Sequence, residues 1–235
     1  MKRLFVIPAR GGSKGLPGKN VRSFRGQPLI LYALQYARLF TDDSHICIST
    51  NDPDIFPIAQ SAGYEIPFVR PEHLATDEAG MYDVLIHALD EYEKRGSYYD
   101  SVVLLQPTSP FRRRFFLDEA AQLFNRDVDM VVAVNESKAN PYFNLFEENE
   151  AGYLKISKAS ETASRQKAPA VYQYNGNFYI INVKSLRLYT SLALFPRIVK
   201  YVIPAEYGVD IDYIADWSYA EFLLSNHIVK IDGKL

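Results

Sequence analysis

Only one cysteine, Cys47, occurs in the 235 residues, so no intrachain disulfide can form and a cystine-stapled fold is excluded. Cys47 sits within the apolar run HICIS, the setting of a buried structural thiol rather than of a nucleophile. Excess charge of one sign is also missing. A formal net charge of -2 gives no general attraction to a nucleic acid polymer or an anionic membrane, so any polyanion must be met by a local cluster of cations. No apolar run approaches bilayer-spanning length. Lys2 and Arg3 precede an apolar stretch, as in a secretory leader, but the stretch stops at Pro8 and Arg10 follows, which predicts a cytoplasmic protein. The four histidines, His45, His73, His87 and His227, lack metal-ligand spacing and are given no catalytic role.

What is present is an ordinary globular mixture, 48% apolar and 23% charged, long enough for one main body over 1–235 with a real core. Leu4 to Ala9 reads as a buried strand, PLILYALQYARLF as a helix and HICIST as a strand. Asp52 and Pro53 open a second helix that Gly63 closes, and EIPFV at 65–69 reads as a further short strand. GMYDVLIHALDEYEKRG has helical periodicity, and DSVVLLQ is again an apolar strand. This alternation predicts an α/β fold: a mainly parallel, Rossmann-like sheet with helices on both faces. After DMVVAVNE, residues 136–183 read as a small β-rich insertion that completes a site or meets a partner. The chain closes with the strand-like RIVKYVIP, then EYGVDIDYIAD, then an amphipathic helix around WSYAEFLLSN.

Ligands of such sheets bind beyond the carboxyl ends of the strands, where the glycine-rich IPARGGSKGLPGKN, residues 7–20, and QPTSPFR both fall. The glycine loop fits no standard fingerprint. A P-loop would need glycine where Ser13 stands and Ser or Thr where Asn20 stands, and no G-x-G-x-x-G is present. Glycines nevertheless let backbone amides approach an anion, and Arg10, Lys14 and Lys19 bring positive charge suited to a triphosphate or pyrophosphate. The alternative is a mobile surface turn with solvated cations.

In VDID, Asp210 and Asp212 share one face if the segment is extended, with Val209 and Ile211 on the other. At about 4 Å and an effective dielectric near 20, two carboxylates would repel by roughly 4 kcal/mol, which a divalent cation would relieve. Oxygen donors of this kind favour magnesium or manganese. The competing reading is a pair of helix caps or lysine partners, the role expected for Asp216. In QPTSPFR, Gln106, Thr108 and Ser109 offer neutral hydrogen bonds suited to hydroxyl-rich ligands, and Arg112 could clasp a carboxylate. Arg113 and Arg114 read as a solvated basic face.

Taken in order, IPARGGSKGLPGKN, VRPEHLATD, LLQPTSPFR, SRQKAP, YNGNFYI and VDIDYIAD resemble the acylneuraminate cytidylyltransferases, the CMP-nonulosonic acid synthetases, over nearly the whole chain. The resemblance implies an α/β nucleotidyltransferase fold and transfer of CMP from CTP to the anomeric hydroxyl of a nine-carbon keto-sugar acid, with release of pyrophosphate. It also implies magnesium dependence and a homodimer in which the β-rich insertion reaches the partner's site. Carried over by motif, Arg10, Gly11, Gly12, Ser13, Lys19, Asn20 and Arg70 would bind the nucleotide, and Asp210 and Asp212 the metal. Gln106 and Arg165 would meet the sugar acid. Arg10, Lys19 and Asp212 would be catalytic, Asp212 as a candidate proton acceptor beside a metal-polarised hydroxyl.

Sialic acid enzymes of this family carry a His-Pro segment followed by lysine, where this chain reads ANPYFNLFE from Ala139. The sugar therefore stays open among N-acetylneuraminic, legionaminic, pseudaminic and deaminated acids. A 3-deoxy-octulosonate or other sugar nucleotidyltransferase is the alternative enzyme, and a non-catalytic nucleotide-binding homologue the alternative of another class.

Overall fold

A computed structural model describes residues 1–159 and 166–232. The first apolar run forms β1 (Arg3–Pro8), and a short hairpin, β2 (Ser23–Phe24) with β3 (Gln27–Pro28), leads into α1 (Leu29–Ala37). Then come β4 (Ile46–Ser49), α2 (Ile55–Ser61), α3 (Met81–Lys94), β5 (Ser101–Leu104), α4 (Arg114–Leu123) and β6 (Met130–Glu136). A two-stranded sheet of β7 (Phe146–Glu148) and β8 (Leu154–Ile156) precedes β9 (Tyr172–Asn182), α5 (Val183–Leu188), β10 (Ile198–Val202) and α6 (Ile214–Ser225).

Among the described residues the main sheet has six strands in the order β10-β6-β9-β5-β1-β4. β4, β1 and β5 run parallel, as do β6 and β10, while β9 runs antiparallel between β5 and β6. Alternation along each strand sorts the core onto two faces. Phe5, Ile7, Val103, Val131 and Ile180 face a layer that includes α1, α4 and α6, with Leu29, Leu117 and Trp217 among its contacts. Leu4, Val6, Val102, Val132 and Ile181 face α3 and α5 through Leu85, Leu89 and Leu186. Cys47 lies on this second face, fully buried, and burial pushes its thiol up to about 12.

Three expectations change. EIPFV joins no ladder; Pro67 lacks the donor a strand needs, and Ile66 only packs against the rim of the core. Among the described residues of 136–183, only the β7–β8 hairpin forms a separate sheet, because Phe178 to Ile181 is an apolar run suited to burial on both faces and enters the main sheet as β9. The second helix starts later than expected, at Ile55 with Asp54 at its N-cap and not Asp52, while its end falls where expected. Asp52 Oδ1 accepts from the Asp54 amide at 3.0 Å, and Gly63, at φ +70, closes the helix.

Candidate active site

The carboxyl ends of β1, β4, β5 and β10 open on one edge, and the loops behind them build one cleft. Behind β1, the glycine loop is pinned by Leu16, which is buried in the core, and turned by Gly12 and Gly18 at φ +70 and +65. Its exposed face carries the cations. Arg10 Nη2 and Lys14 Nζ each reach Asp77 at 2.5 Å, one on each carboxylate oxygen, and this pairing holds the Asp77 carboxyl below its usual range. Lys19 Nζ reaches Asp212 Oδ1 at 2.6 Å and the Ile211 carbonyl at 3.2 Å.

Behind β5, QPTSPFR is held by a bulge in β9. Opposite β6, the register jumps from Val132–Tyr179 to Val134–Tyr174, which pushes Asn175, Gly176 and Asn177 out of the ladder. Gly176 stands at φ +72, and a Cβ there would lie 2.3 Å from Gln106 Oε1, so only glycine lets the bulge lie under that side chain. Ser109 Oγ donates to the Asn175 carbonyl at 2.9 Å, and Asn177 Nδ2 donates to the Phe111 carbonyl at 2.8 Å. Arg112 is fully buried and does not reach the cleft. Its Nε and Nη2 donate to the carbonyls of Asn177 and Gln106 at 2.7 and 2.6 Å, and burial pulls its guanidinium down to about 10. Arg112 is thus a brace for the loop and not the carboxylate clasp that its residue type suggests.

Behind β10, VDID runs irregularly, but its pattern holds: Ile211 is buried in the core and the aspartates face the cleft. The Ile211 amide donates to the Thr108 carbonyl at 2.8 Å, tying this segment to QPTSPFR. Asp216 caps α6, accepting from the amides of Asp212 and Tyr213 at 3.0 and 2.8 Å, as expected. Asp210 is exposed to the cleft, yet the protein around it displaces enough water to raise its carboxyl above the ordinary range. Lost hydration is the main cause, opposed by a hydrogen bond from Thr108 and reinforced by the charge of Asp212. Two like-charged carboxylates in this state, with Lys19 on one of them, form a donor set that fits magnesium, which keeps several waters and takes phosphate oxygens. Among the described residues no group of three or more His, Cys, Asp or Glu gathers to hold a metal.

The cleft encloses about 470 Å³ and brings together Arg10, Ser13, Lys19, Asn20, Arg70, Gln106, Asp210 and Asp212 from across the chain. Gly11 and Gly12 turn behind it: the Gly11 amide already donates to Asn51 Oδ1 at 3.1 Å. Arg165 lies outside the described residues. Arg70 is buried, donating through Nε to Ser49 Oγ at 3.0 Å and through Nη2 to the Ser49 carbonyl, and burial lowers it to about 10. Asn20 is buried with no partner for its side-chain oxygen.

Gln106 and Met81 also border a second cavity of about 380 Å³, walled by Tyr82, Leu104, Tyr174, Tyr179 and Leu192 and bordered by no charged side chain. Sequence reasoning missed this cavity, the Asp77 pairing and the bulge. Only the bulge left a trace, an isolated glycine within a strand-like run.

This architecture has known counterparts. The cytidylyltransferase family matches residues 4–215. The CMP-N,N'-diacetyllegionaminic acid synthase of Legionella pneumophila is 31% identical over 95% of this chain and 97% of its own length. An N-acylneuraminate cytidylyltransferase of Streptococcus agalactiae is 32% identical over 90% of this chain, which spans about half (51%) of that protein. Among solved structures, CMP:2-keto-3-deoxy-manno-octonic acid synthetase complexed with CTP shares the fold, with a TM-score of 0.69 at 17% identity over 97% of this chain and 100% of the other. The mostly parallel sheet, the glycine loop behind its first strand and the match along nine-tenths of the chain agree: this chain belongs to the cytidylyltransferase family.

Proposed function

We propose that the protein transfers CMP from CTP to the anomeric hydroxyl of a nonulosonic acid and releases pyrophosphate. The observation that carries this reading is the meeting, in one cleft, of a cation-bearing glycine loop and two carboxylates nearly two hundred residues away, with Lys19 on Asp212 at 2.6 Å. Arg10, Lys14 and Lys19 would take the triphosphate, whose oxygens would compete with Asp77 for Arg10 and Lys14. Ser13 would line that pocket, with Gly11 and Gly12 turning the loop behind it, and Arg70 would add positive potential from the wall. The unpartnered oxygen of Asn20 suits a nucleotide amino or hydroxyl donor.

Asp210 and Asp212 would hold a magnesium ion, or manganese by the same donor chemistry, and when bound it would supply positive charge beside the phosphates. Arg10 and Lys19 would offset the charge that builds on the departing pyrophosphate. Gln106 would orient the sugar acid by its carboxamide, placing the anomeric oxygen in line with the α-phosphorus and the body of the sugar toward the second cavity. Asp212, at the junction of the two halves, would receive the hydroxyl proton.

We also infer a cytoplasmic homodimer. Its interface would use the β7–β8 hairpin, where Phe146, Tyr153 and Leu154 stand 52%, 71% and 70% exposed, and Arg165 would face the sugar acid. Among the described residues no helix is long and apolar enough to cross a membrane. The test is pyrophosphate release. It should require CTP, magnesium and a nonulosonic acid together, and activity with UTP and a sugar 1-phosphate, but with no sugar acid, would overturn the reading.

A further inference from the structure

The sequence similarity does not choose the sugar, since relatives named for a diacetyllegionaminic and a neuraminic acid match at 31% and 32% identity. The second cavity does. It opens from the first at Gln106 and Met81, the point at which the proposed function places the sugar acid, and the inference rests on that placement. Its volume of about 380 Å³ is that of a small-molecule chamber.

Its wall is short of hydrogen-bonding capacity. Met81, Leu104 and Leu192 present carbon and sulfur, and Tyr174 stands edge-to-face against Tyr179 with ring centroids 5.8 Å apart. The polar groups that do border it are largely committed. The Tyr82 hydroxyl donates to the Leu186 carbonyl at 3.1 Å, Ser191 Oγ accepts from the Ala193 amide at 3.2 Å, and Tyr179 bonds to the Gly176 backbone. Gln106 at the mouth, the Ser191 hydroxyl as a donor and the Tyr174 hydroxyl at the outer edge remain. Tyr179 is buried, which raises its hydroxyl, while Tyr174 stands 47% exposed at the outer edge of the wall.

A polyhydroxylated chain entering here would exchange water for a mostly apolar wall with few partners for its hydroxyls, whereas methyl and N-acyl groups would gain contact and lose little. We propose that this chamber selects nonulosonic acids whose distal part is deoxygenated and N-acylated, of the di-N-acetyl, methyl-terminated class, over N-acetylneuraminic acid with its hydroxylated side chain. An apolar pocket rejects added hydroxyls only moderately, so the expected preference in kcat/KM is between about 10-fold and 100-fold.

The experiment compares N,N'-diacetyllegionaminic acid, N-acetylneuraminic acid and the deaminated acid with the intact protein, CTP and magnesium, reading pyrophosphate release and, by calorimetry, sugar-acid binding. The expected result is a preference for the diacetylated acid in both readouts. Leu192→Ser should shrink that preference at least about threefold while the KM for CTP stays unchanged. Equal or better use of N-acetylneuraminic acid, or a Leu192→Ser protein with an unaltered preference, would overturn the inference and leave the proposed function standing. Turnover of none of the three, nor of pseudaminic acid, would overturn the proposed function instead. The binding ratio would then decide the inference, for or against.

Discussion

Gly15 is where the two halves of the cleft touch. A Cβ built there would lie 2.5 Å from the Asp212 carbonyl oxygen and 3.1 Å from a ring carbon of Tyr213, whereas ordinary contact begins at 3.4 Å. Gly15→Ala must therefore part the glycine loop from VDID by about 1 Å, a displacement that costs on the order of 100-fold when it falls between groups acting on one reacting centre. The loop is exposed at this position, so the strain can be released by moving the loop rather than by unfolding. The expected variant has a near-normal melting temperature and binds CTP through Arg10 and Lys14, but its kcat/KM for pyrophosphate release drops by about two orders of magnitude. Steady-state kinetics, calorimetry with CTP and thermal denaturation on one preparation separate these outcomes. A kcat/KM within about threefold of the parent, with CTP binding intact, would refute the claim that catalysis needs this contact.

Three further predictions concern single charges. The raised carboxyl of Asp210 means that, without metal, stability declines as pH rises from the ordinary carboxylate value through the raised one, because the folded state holds the proton longer than the unfolded chain. Asp210→Asn should remove that slope, leave the melting temperature at neutral pH unchanged or higher, and lower magnesium-dependent turnover on the order of 1,000-fold; a lower melting temperature would contradict the electrostatic argument. Arg112→Lys cannot span the Gln106 and Asn177 carbonyls together, so it should destabilise by about 2 kcal/mol and raise the KM for the sugar acid but not for CTP; equal changes in both would deny Arg112 its hold on Gln106. Asp77→Asn should free Arg10 and Lys14 and tighten CTP binding a few-fold at low salt, measured by calorimetry. Weaker binding would mean that Asp77 aims the cations instead of competing with the triphosphate.

How much of this could be read from the sequence depends on the range of the interaction responsible. β1, β4 and β5 were legible because each is a short apolar run ended by turn residues, and the glycine loop because glycine and lysine behind a first strand have a local physical meaning. The antiparallel entry of β9 was not, since an apolar run states that a strand is buried and not which neighbours it takes. Arg112 misled for a related reason. An arginine at a strand end suggests an anion, and only the fold reveals that its neighbours are the carbonyls of Asn177 and Gln106. EIPFV was read as a strand on residue types alone, and what it lacked was a partner. Asp77 lies 67 residues from Arg10, beyond the reach of any spacing rule.

The cleft pairs each half of its chemistry with an opposite charge: Arg10 and Lys14 share Asp77, and Lys19 holds Asp212. Arg10, Lys14 and Asp77 are partly exposed, where such contacts are worth little, whereas Lys19 is only 13% exposed, so its ammonium needs a phosphate oxygen in place of Asp212 when it is released. The exchange is coupled. A metal that takes Asp212 frees Lys19 toward the phosphates, and a triphosphate that draws Lys19 away leaves Asp212 and Asp210 as two unneutralised carboxylates in search of a cation. CTP and magnesium should therefore bind with positive cooperativity, each lowering the other's dissociation constant by the same factor, as linkage requires. The lysine is the hinge of that coupling. In a Lys19→Met protein the two ligands should still bind, each more weakly, with the mutual effect reduced toward the direct attraction between metal and phosphate. Calorimetric titration of each in the presence and absence of the other measures this, and an undiminished coupling in Lys19→Met would place the link elsewhere.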